Sequence, residues 1–433
     1  MTEPVVRVGI IGAGNVGGAL VRLLADESRS SALLDAARSR LEVVGVAVKD
    51  EKKERPDIPA SLLTTDAQAL AAREDVDVVV ELIGGVSDAR TYIETALRRG
   101  ASVVTANKAL MAEAGTELIE IAFANNADLY YEAAVGGGVP ILRSLRTSLA
   151  AERITRVMGI VNGTTNFILS KMTSDGTDYA SALEEAQALG YAENDPTADV
   201  EGFDAAAKVA ILSFLSFGTV LDGATIEREG ISTIRAVDVA FAKRSGYVIK
   251  LLGIAERVGD HAISRRVQPT LVPDEHPLAS VHGAYNAVFV EGVTTGPLMW
   301  LGQGAGGEPT AAAVLGDIVA VARNKVSGRH DTPFSVDRTL QSFPPGELQS
   351  AFYLSIDVLD KPGVLASVAS VFGDHDVSIL SMDQSGFGDE ARLTFFTHRA
   401  FASDVSATLK DLEHLDAVDA IGSCLCVIDG GTA

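Results

Sequence analysis

Residues 193–208 read ENDPTADVEGFDAAAK and gather Glu193, Asp195, Asp199, Glu201 and Asp204 ahead of Lys208. Asp204 and Lys208 are four apart, so a helix places them on one face. On a solvent helix such a pair is worth only tenths of a kcal/mol. Here the helix continues as VAILSFLSF, too apolar to face water. A lysine held among carboxylates at the start of a buried helix can exchange a proton with a reacting oxygen. Lys108 ends the run Thr105-Ala106-Asn107-Lys108 after an apolar strand. In an open parallel sheet, ligands bind beyond the carboxyl ends of the strands, which puts Lys108 beside a ligand. A plain surface lysine is the competing reading there.

A third chemical feature is a glycine loop. Residues 5–11 form a short apolar strand that runs into Gly12-Ala13-Gly14-Asn15-Val16-Gly17. Gly12 permits the tight turn, Gly14 lets the backbone approach a pyrophosphate, and Gly17 lets the helix pack on the strand. The phosphates would sit on the N–H groups that open the helix, including those of Asn15 and Val16. The second strand ends in Val48-Lys49-Asp50, followed by Lys52, Lys53 and Arg55. A cation at that strand end favours a 2′-phosphate, so the expected cofactor is NADP, and Asp50 keeps NAD open. A second match, Gly302-Gln303-Gly304-Ala305-Gly306-Gly307, precedes a helix with no parallel strand after it. It is read as a glycine-rich contact near the cofactor, through Gly304 and Gly306, and not as a second dinucleotide unit.

The elements that must position these groups follow from hydrophobic periodicity. Strands at 5–11, 41–48, 76–83, 101–105 and 129–133 alternate with helices at 14–24, 89–99 and 116–124, which predicts a Rossmann-like parallel sheet over residues 1–137. Residues 138–325 read as an α+β domain for catalysis and dimerisation. Its helices fall at 141–150, 166–174, 180–189, 203–217 and 310–324, with strands at 249–257, 262–271 and 287–293. Residues 326–350 form a polar linker broken by Pro344-Pro345-Gly346. Residues 351–433 follow the order βαββαβ, a ferredoxin-like unit. Its strands lie at 352–359, 377–382, 392–397 and 418–427, its helices at 363–372 and 402–412. Gly363 exposes backbone N–H groups at a helix start, suited to a carboxylate. The fold class is α/β in three parts, as the length of 433 residues suggests.

Composition removes other classes. Lys and Arg number 36 against 58 Asp and Glu, a net charge of −22. Such a chain repels phosphate backbones and anionic lipids, so neither nucleic acid nor a membrane is an expected partner. Two Cys, at 424 and 426, are too close for an ordinary bridge and read as inert thiols on one strand. Seven scattered His without an H-E-x-x-H pattern argue against a catalytic metal. The opening residues carry no basic-then-apolar leader, so a cytoplasmic location is expected.

Together, GAGNVG, TANK, NGTTNFI, YAENDPTADVEGFDAAAK and GQGAGGEPTAAAVLGDIV resemble homoserine dehydrogenase. The resemblance implies NAD(P)-linked interconversion of L-homoserine and L-aspartate 4-semialdehyde. It places the acid–base lysine on Lys208, its aspartate partner on Asp204, and a second active-site lysine on Lys108. It puts the substrate amino group at Glu193, with Thr164, Tyr191 and Asp199 nearby. It also implies a monovalent cation, Na+ or K+, on Glu132 and the carbonyls of Val135, Gly137 and Val139. The motifs DKPGVL and VSILSM resemble an ACT domain, which implies feedback inhibition by L-threonine at Asp360, Gly363 and the strand 377–381. The central sheet and the ACT-like unit both point to a homodimer or homotetramer. Two other readings compete. Another dehydrogenase with the same first domain would need, if phosphorylating, a nucleophilic Cys, and both Cys lie in the wrong region. An amino-acid sensor on a degenerate body would not need Lys108, Lys208 and Asp204 intact.

Overall fold

The computed structural model describes residues 3–331, 336–387 and 390–428. Packing divides the chain into two units, one of residues 1–161, 206–226 and 286–339, the other of 162–205, 227–285 and 340–433.

The first unit holds a six-stranded parallel sheet ordered Leu63–Thr64, Arg40–Ala47, Val5–Ile11, Val78–Glu81, Ser102–Thr105, Leu129–Tyr130. Two outward progressions from the first strand give the order of a doubly wound dinucleotide fold, with its ligand crevice where the order reverses. Register pairs Ile11 with Glu81 and Glu81 with Thr105, so three strands end level at one edge. Val8, Ile10, Val78, Val80 and Val104 are wholly buried, as strands covered on both faces require. The helices Asn15–Ala25 and Gly307–Val326 share that core through Ala19, Leu20, Ala311, Val314 and Ile318. The unit also contains Ile154–Ile160, antiparallel to Tyr285–Gly292, which is flanked in turn by Gly296–Gln303.

The second unit contains the helices Gly163–Asp175, Tyr179–Ala188 and Ala236–Arg244 and the hairpin Tyr247–Val258/Ala262–Pro273. The last strand, Val418–Val427, pairs parallel with Ala262–Pro273 through Thr270↔Cys426 and Leu271↔Val427. It pairs antiparallel with Gln349–Leu359, beyond which lie Glu390–Thr397 and Ile379–Phe387. The βαββαβ unit thus extends a neighbouring sheet instead of standing apart. One of its faces is covered by Val364–Asp374 and Ala402–Leu412, with Leu354, Ile356, Phe372, Leu393 and Phe395 at the centre. On the other face Tyr353 and Phe396 meet Phe241 at ring distances of 5.3 and 5.9 Å. Beside them Asp238 accepts hydrogen bonds from Tyr353 Oη at 3.0 Å, Ser355 Oγ at 3.1 Å and Ser423 Oγ at 2.7 Å. Arg235 spans Asp238 and Asp357, and Asp357 also takes Arg392.

Several elements differ from the sequence reading. The strand expected at 129–133 stops at Tyr130, because Glu132–Ala134 turns into a 3-10 helix that buries Glu132. The helix expected from 116 begins at Lys108, capped by the Asn107 side chain. The strands Ile154–Ile160 and Gly296–Gln303 and the helix Ala236–Arg244 were not expected. The helix expected at 141–150 is only short turns at Ile141–Arg143 and Ser144–Ser148, and the sheet of the central region begins directly after them, ahead of the longer helices.

Candidate functional site

The three glycines of the dinucleotide loop have different surroundings. A Cβ on Gly17 would lie 2.0 Å from Gly12 O, and one on Gly12 would lie 2.8 Å from Leu82 O. Nothing stands within 4 Å of the Cβ position of Gly14. Two glycines thus secure packing while the third faces open space. The helix Asn15–Ala25 has no side-chain cap, so its first N–H groups remain for an anion. Lys49 and Asp50 are both exposed at the next strand end. Asp50 is turned toward Lys52 N at 2.9 Å, and Arg55 is spent on Asp50 O and Lys53 O. Of the basic run, Arg55 closes its own loop. A Cβ on Gly307 would meet Asn15 O at 2.9 Å, so the second glycine motif does stand against the first.

At the level sheet edge, Glu81 is wholly buried. It accepts from Thr105 Oγ1 at 2.6 Å and from the N–H groups of Ile83 and Gly84. Asn107 caps the next helix and donates to Gly85 O at 2.6 Å. Lys108, half-buried, is the first residue of that helix. A sequence reading weighs Lys108 and misses Glu81, which shapes the loop beneath it.

Lys208 and Asp204 stand one turn apart on Phe203–Phe217 and are 7% and 8% exposed, which excludes a surface ion pair. Within the first unit, Lys208 Nζ donates to Val161 O at 2.6 Å. Asn286 Nδ2 donates to the same oxygen at 3.0 Å. Within the second unit, Asn162 caps Gly163–Asp175 by accepting from Thr165 N at 2.9 Å. Its amide donates to Asp199 Oδ1 at 2.7 Å and Asp204 Oδ2 at 2.9 Å. Both N–H bonds of Asn162 point at carboxylates, which fixes its orientation. Thr164 Oγ1 donates to Tyr191 O at 2.6 Å, and the Tyr191 ring rests 4.9 Å from Phe167. Tyr191 and Glu193 are exposed. The fold so gathers Asp199 and Asp204 on one asparagine and ties Thr164 to Tyr191. Asn162 precedes a glycine and two threonines at a helix start, a capping signal legible in the sequence. Asn286 carries no such signal.

The glycine turn after Glu132 has left-handed backbone at Gly136 and Gly137, with φ of +70° and +53°. A Cβ on Gly137 would lie 2.5 Å from Gly304 O. Glu132 is buried, and its carboxylate accepts from Leu142 N and Arg143 N at 2.9 and 2.7 Å. Burial and the neighbouring Asp317 push Glu132 up to about 7. Asp317 is raised too, by its own burial. Asp317 takes the Arg143 guanidinium at 2.8 Å, whereas Glu132 takes the backbone N–H groups of Leu142 and Arg143, so one guanidinium faces two buried carboxyl groups. Among the described residues no cluster of three His, Cys, Asp or Glu could hold a metal ion.

Gly363 has φ of +91° and precedes Val364–Asp374, with open space at its Cβ position. Asp360 is exposed and receives Gln384 Nε2 at 3.4 Å. Burial pushes both thiols, Cys424 and Cys426, up. Among the described residues no helix is long and apolar enough to cross a membrane.

Family models agree with this layout. Residues 12–132 match the homoserine dehydrogenase NAD-binding domain, residues 140–319 match homoserine dehydrogenase, and residues 352–416 match the ACT domain. A homoserine dehydrogenase of Corynebacterium glutamicum is 48% identical, covering 97% of this chain and 95% of its own. The crystal structure of a homoserine dehydrogenase from Thiobacillus denitrificans superposes with a TM-score of 0.93 at 38% identity, over 99% of this chain and all of that one. A hyperthermophilic archaeal homoserine dehydrogenase in complex with NADPH matches 73% of this chain and 97% of its own, with a TM-score of 0.61 and 29% identity.

Proposed function

This chain belongs to the homoserine dehydrogenase family of oxidoreductases acting on a CH–OH group, and we propose that Lys208 moves the proton as L-homoserine and L-aspartate 4-semialdehyde interconvert. The observation that carries the assignment is a buried lysine whose Nζ donates to Val161 O, one helical turn from Asp204. When bound, the nicotinamide cofactor supplies the acceptor for the hydride leaving homoserine C4. Gly12, Gly14, Asn15, Val16 and Gly17 hold its pyrophosphate, with Gly304 and Gly306 beside them. Exposed Lys49 favours NADP, in keeping with the NADPH complex of the archaeal relative.

Lys208 takes the hydroxyl proton in oxidation and returns it to the carbonyl oxygen in reduction. As a cation it also polarises that oxygen. Lys108 orients the same oxygen. Glu193 meets the substrate ammonium, with Thr164 and Tyr191 shaping the approach. Asp199 and Asp204, tied by Asn162, set the pose of the substrate side. Glu132 and the carbonyls of Val135, Gly137 and Val139 hold Na+ or K+, which steadies the turn. The enzyme serves threonine and methionine biosynthesis, acts as a homodimer or homotetramer, and is inhibited by L-threonine at Asp360 and Gly363.

Initial rates of cofactor reduction with homoserine test the core of this. Lys208→Ala lowers turnover by about 100-fold or more. Asp204→Asn lowers turnover more than it raises KM. Near-normal turnover of Lys208→Ala removes it from the mechanism. Threonine titration of Asp360→Ala tests regulation, with retained inhibition excluding that site.

A further inference from the structure

We propose that Asn286 is a positioning residue that aims Lys208, and that Gly304 is glycine so that the Asn286 amide can lie where it does. The proposal rests on Lys208 as the acid–base group. Asn286 is 1% exposed, and the pairing Ala287↔Ile160 brings it opposite Val161. Val161 O receives Asn286 Nδ2 at 3.0 Å and Lys208 Nζ at 2.6 Å. A carbonyl oxygen has two lone pairs. With one taken by a rigid amide, the ammonium is confined to the other, which narrows the arc the Lys208 head can sweep.

The amide itself is wedged from behind. An ideal Cβ on Gly304 would fall 2.1 Å from Asn286 Cγ, 2.2 Å from Nδ2 and 2.3 Å from Oδ1. Gly304 is not among the residues with left-handed backbone, so an alanine there meets no conformational strain. The contact with Asn286 is what excludes a side chain. Gly304 O in turn occupies the Cβ position of Gly137. One line of close approaches therefore links the turn after Glu132, the second glycine motif, Asn286, Val161 O and Lys208.

Stability alone does not explain the asparagine. Asn286 Oδ1 is buried and has no hydrogen-bond partner among the described residues. A buried acceptor left so destabilises the fold. Turning the amide over would set Oδ1 against Val161 O, acceptor on acceptor, so the orientation is fixed by the donor it must present.

The test is a steady-state series on the full chain with homoserine and NADP, and with homoserine deuterated at C4. Asn286→Ala is expected to lower kcat by about 10- to 100-fold, the cost of a misaimed catalytic group. KM for homoserine should stay within about threefold, since Asn286 acts through Lys208 and not on the substrate. The isotope effect on kcat should rise, because chemistry becomes the slow step. Asn286→Asp keeps the shape but, ionised, presents no donor to Val161 O, and should fall into the same class. Gly304→Ala should lower kcat, and should cost less in the Asn286→Ala background than in the wild type, because the three atoms its Cβ meets first are gone. Wild-type kcat in both Asn286 variants, an unchanged isotope effect, or multiplying losses in the double variant overturns the proposal. If Lys208→Ala turns over normally, the acid–base assignment itself falls. If Lys208→Ala is inactive and the Asn286 variants are normal, only the positioning role falls.

Discussion

Replacing Asp238 by Ala should loosen the βαββαβ unit from the helix it rests on. Asp238 is 1% exposed and takes three hydroxyl donors from two strands, at 3.0, 3.1 and 2.7 Å. It also receives Arg235 N at 3.3 Å. Hydrogen bonds to a charged acceptor are worth about 1.5–3 kcal/mol each, but bonds sharing one acceptor do not add. Breaking a buried charged network by removing one partner costs about 3–5 kcal/mol. Asp238→Ala should therefore lose about that much, while Arg235 keeps Asp357 as its remaining anion. Asp238→Asn retains one acceptor oxygen and the shape, and should lose about half as much. Amide hydrogen exchange reads the effect by region. Protection should fall in Gln349–Leu359, Val418–Val427 and Ala236–Arg244, and stay unchanged in Val78–Glu81 of the other unit. A loss in Asp238→Ala below about 1 kcal/mol, or an equal fall in Val78–Glu81, would refute the reasoning.

Three further outcomes follow from the geometry. Gly14→Ala should leave thermal stability intact and raise the cofactor KM, because its Cβ enters open space; Gly17→Ala should destabilise the fold, because its Cβ lies 2.0 Å from Gly12 O. Lys49→Ala should erode the preference for NADP over NAD, and an unchanged ratio of kcat/KM values removes Lys49 from that role. Lys250 is buried, donates only to neutral oxygens of Asn166 and Val281 among its identified bonds, and is pulled down by burial to about 8. Between pH 8 and the ordinary 10.5 the unfolded chain holds a proton that the folded chain lacks. Stability should climb through that window by up to about 1.4 kcal/mol per pH unit, and the climb should vanish in Lys250→Met; parallel urea midpoints in the two proteins would exclude it.

What could be read in the sequence and what could not divides along physical lines. The strand Val5–Ile11, the helix Phe203–Phe217 and the strand Val418–Val427 fall where periodicity places them. Buried parallel strands are continuous apolar runs, and a buried helix declares itself by its length. Ile154–Ile160 was hidden because its Arg156 interrupts the apolar run. That charge is satisfied across the sheet by Glu291, at 2.8 Å to two guanidinium nitrogens, a partner distant in sequence. The spacing of Asp204 and Lys208 was legible because a helix fixes it locally. Their anchors were not equally so: Asn162 is a readable cap, whereas Asn286 gains its place only through a strand pairing and a glycine from another loop.

The pairing of Val418–Val427 with Ala262–Pro273 also sets a schedule. On the ribosome, Ala262–Pro273 is made roughly 150 residues before its parallel neighbour, a delay of about 8–30 s at ordinary elongation rates. The segments of the first unit are all complete by residue 339, and those of the second only near the end of the chain. The carboxylate of Asp238 waits 115 residues for Tyr353, 117 for Ser355 and 185 for Ser423. The second unit is complete only once Val418–Val427 is made; until then Thr270 and Leu271 wait for their partners, while Arg266 and Val267 already have Glu227 and Arg228 beside them. Slow translation through residues 274–417 would lengthen that wait, and the yield of soluble chain should fall with it.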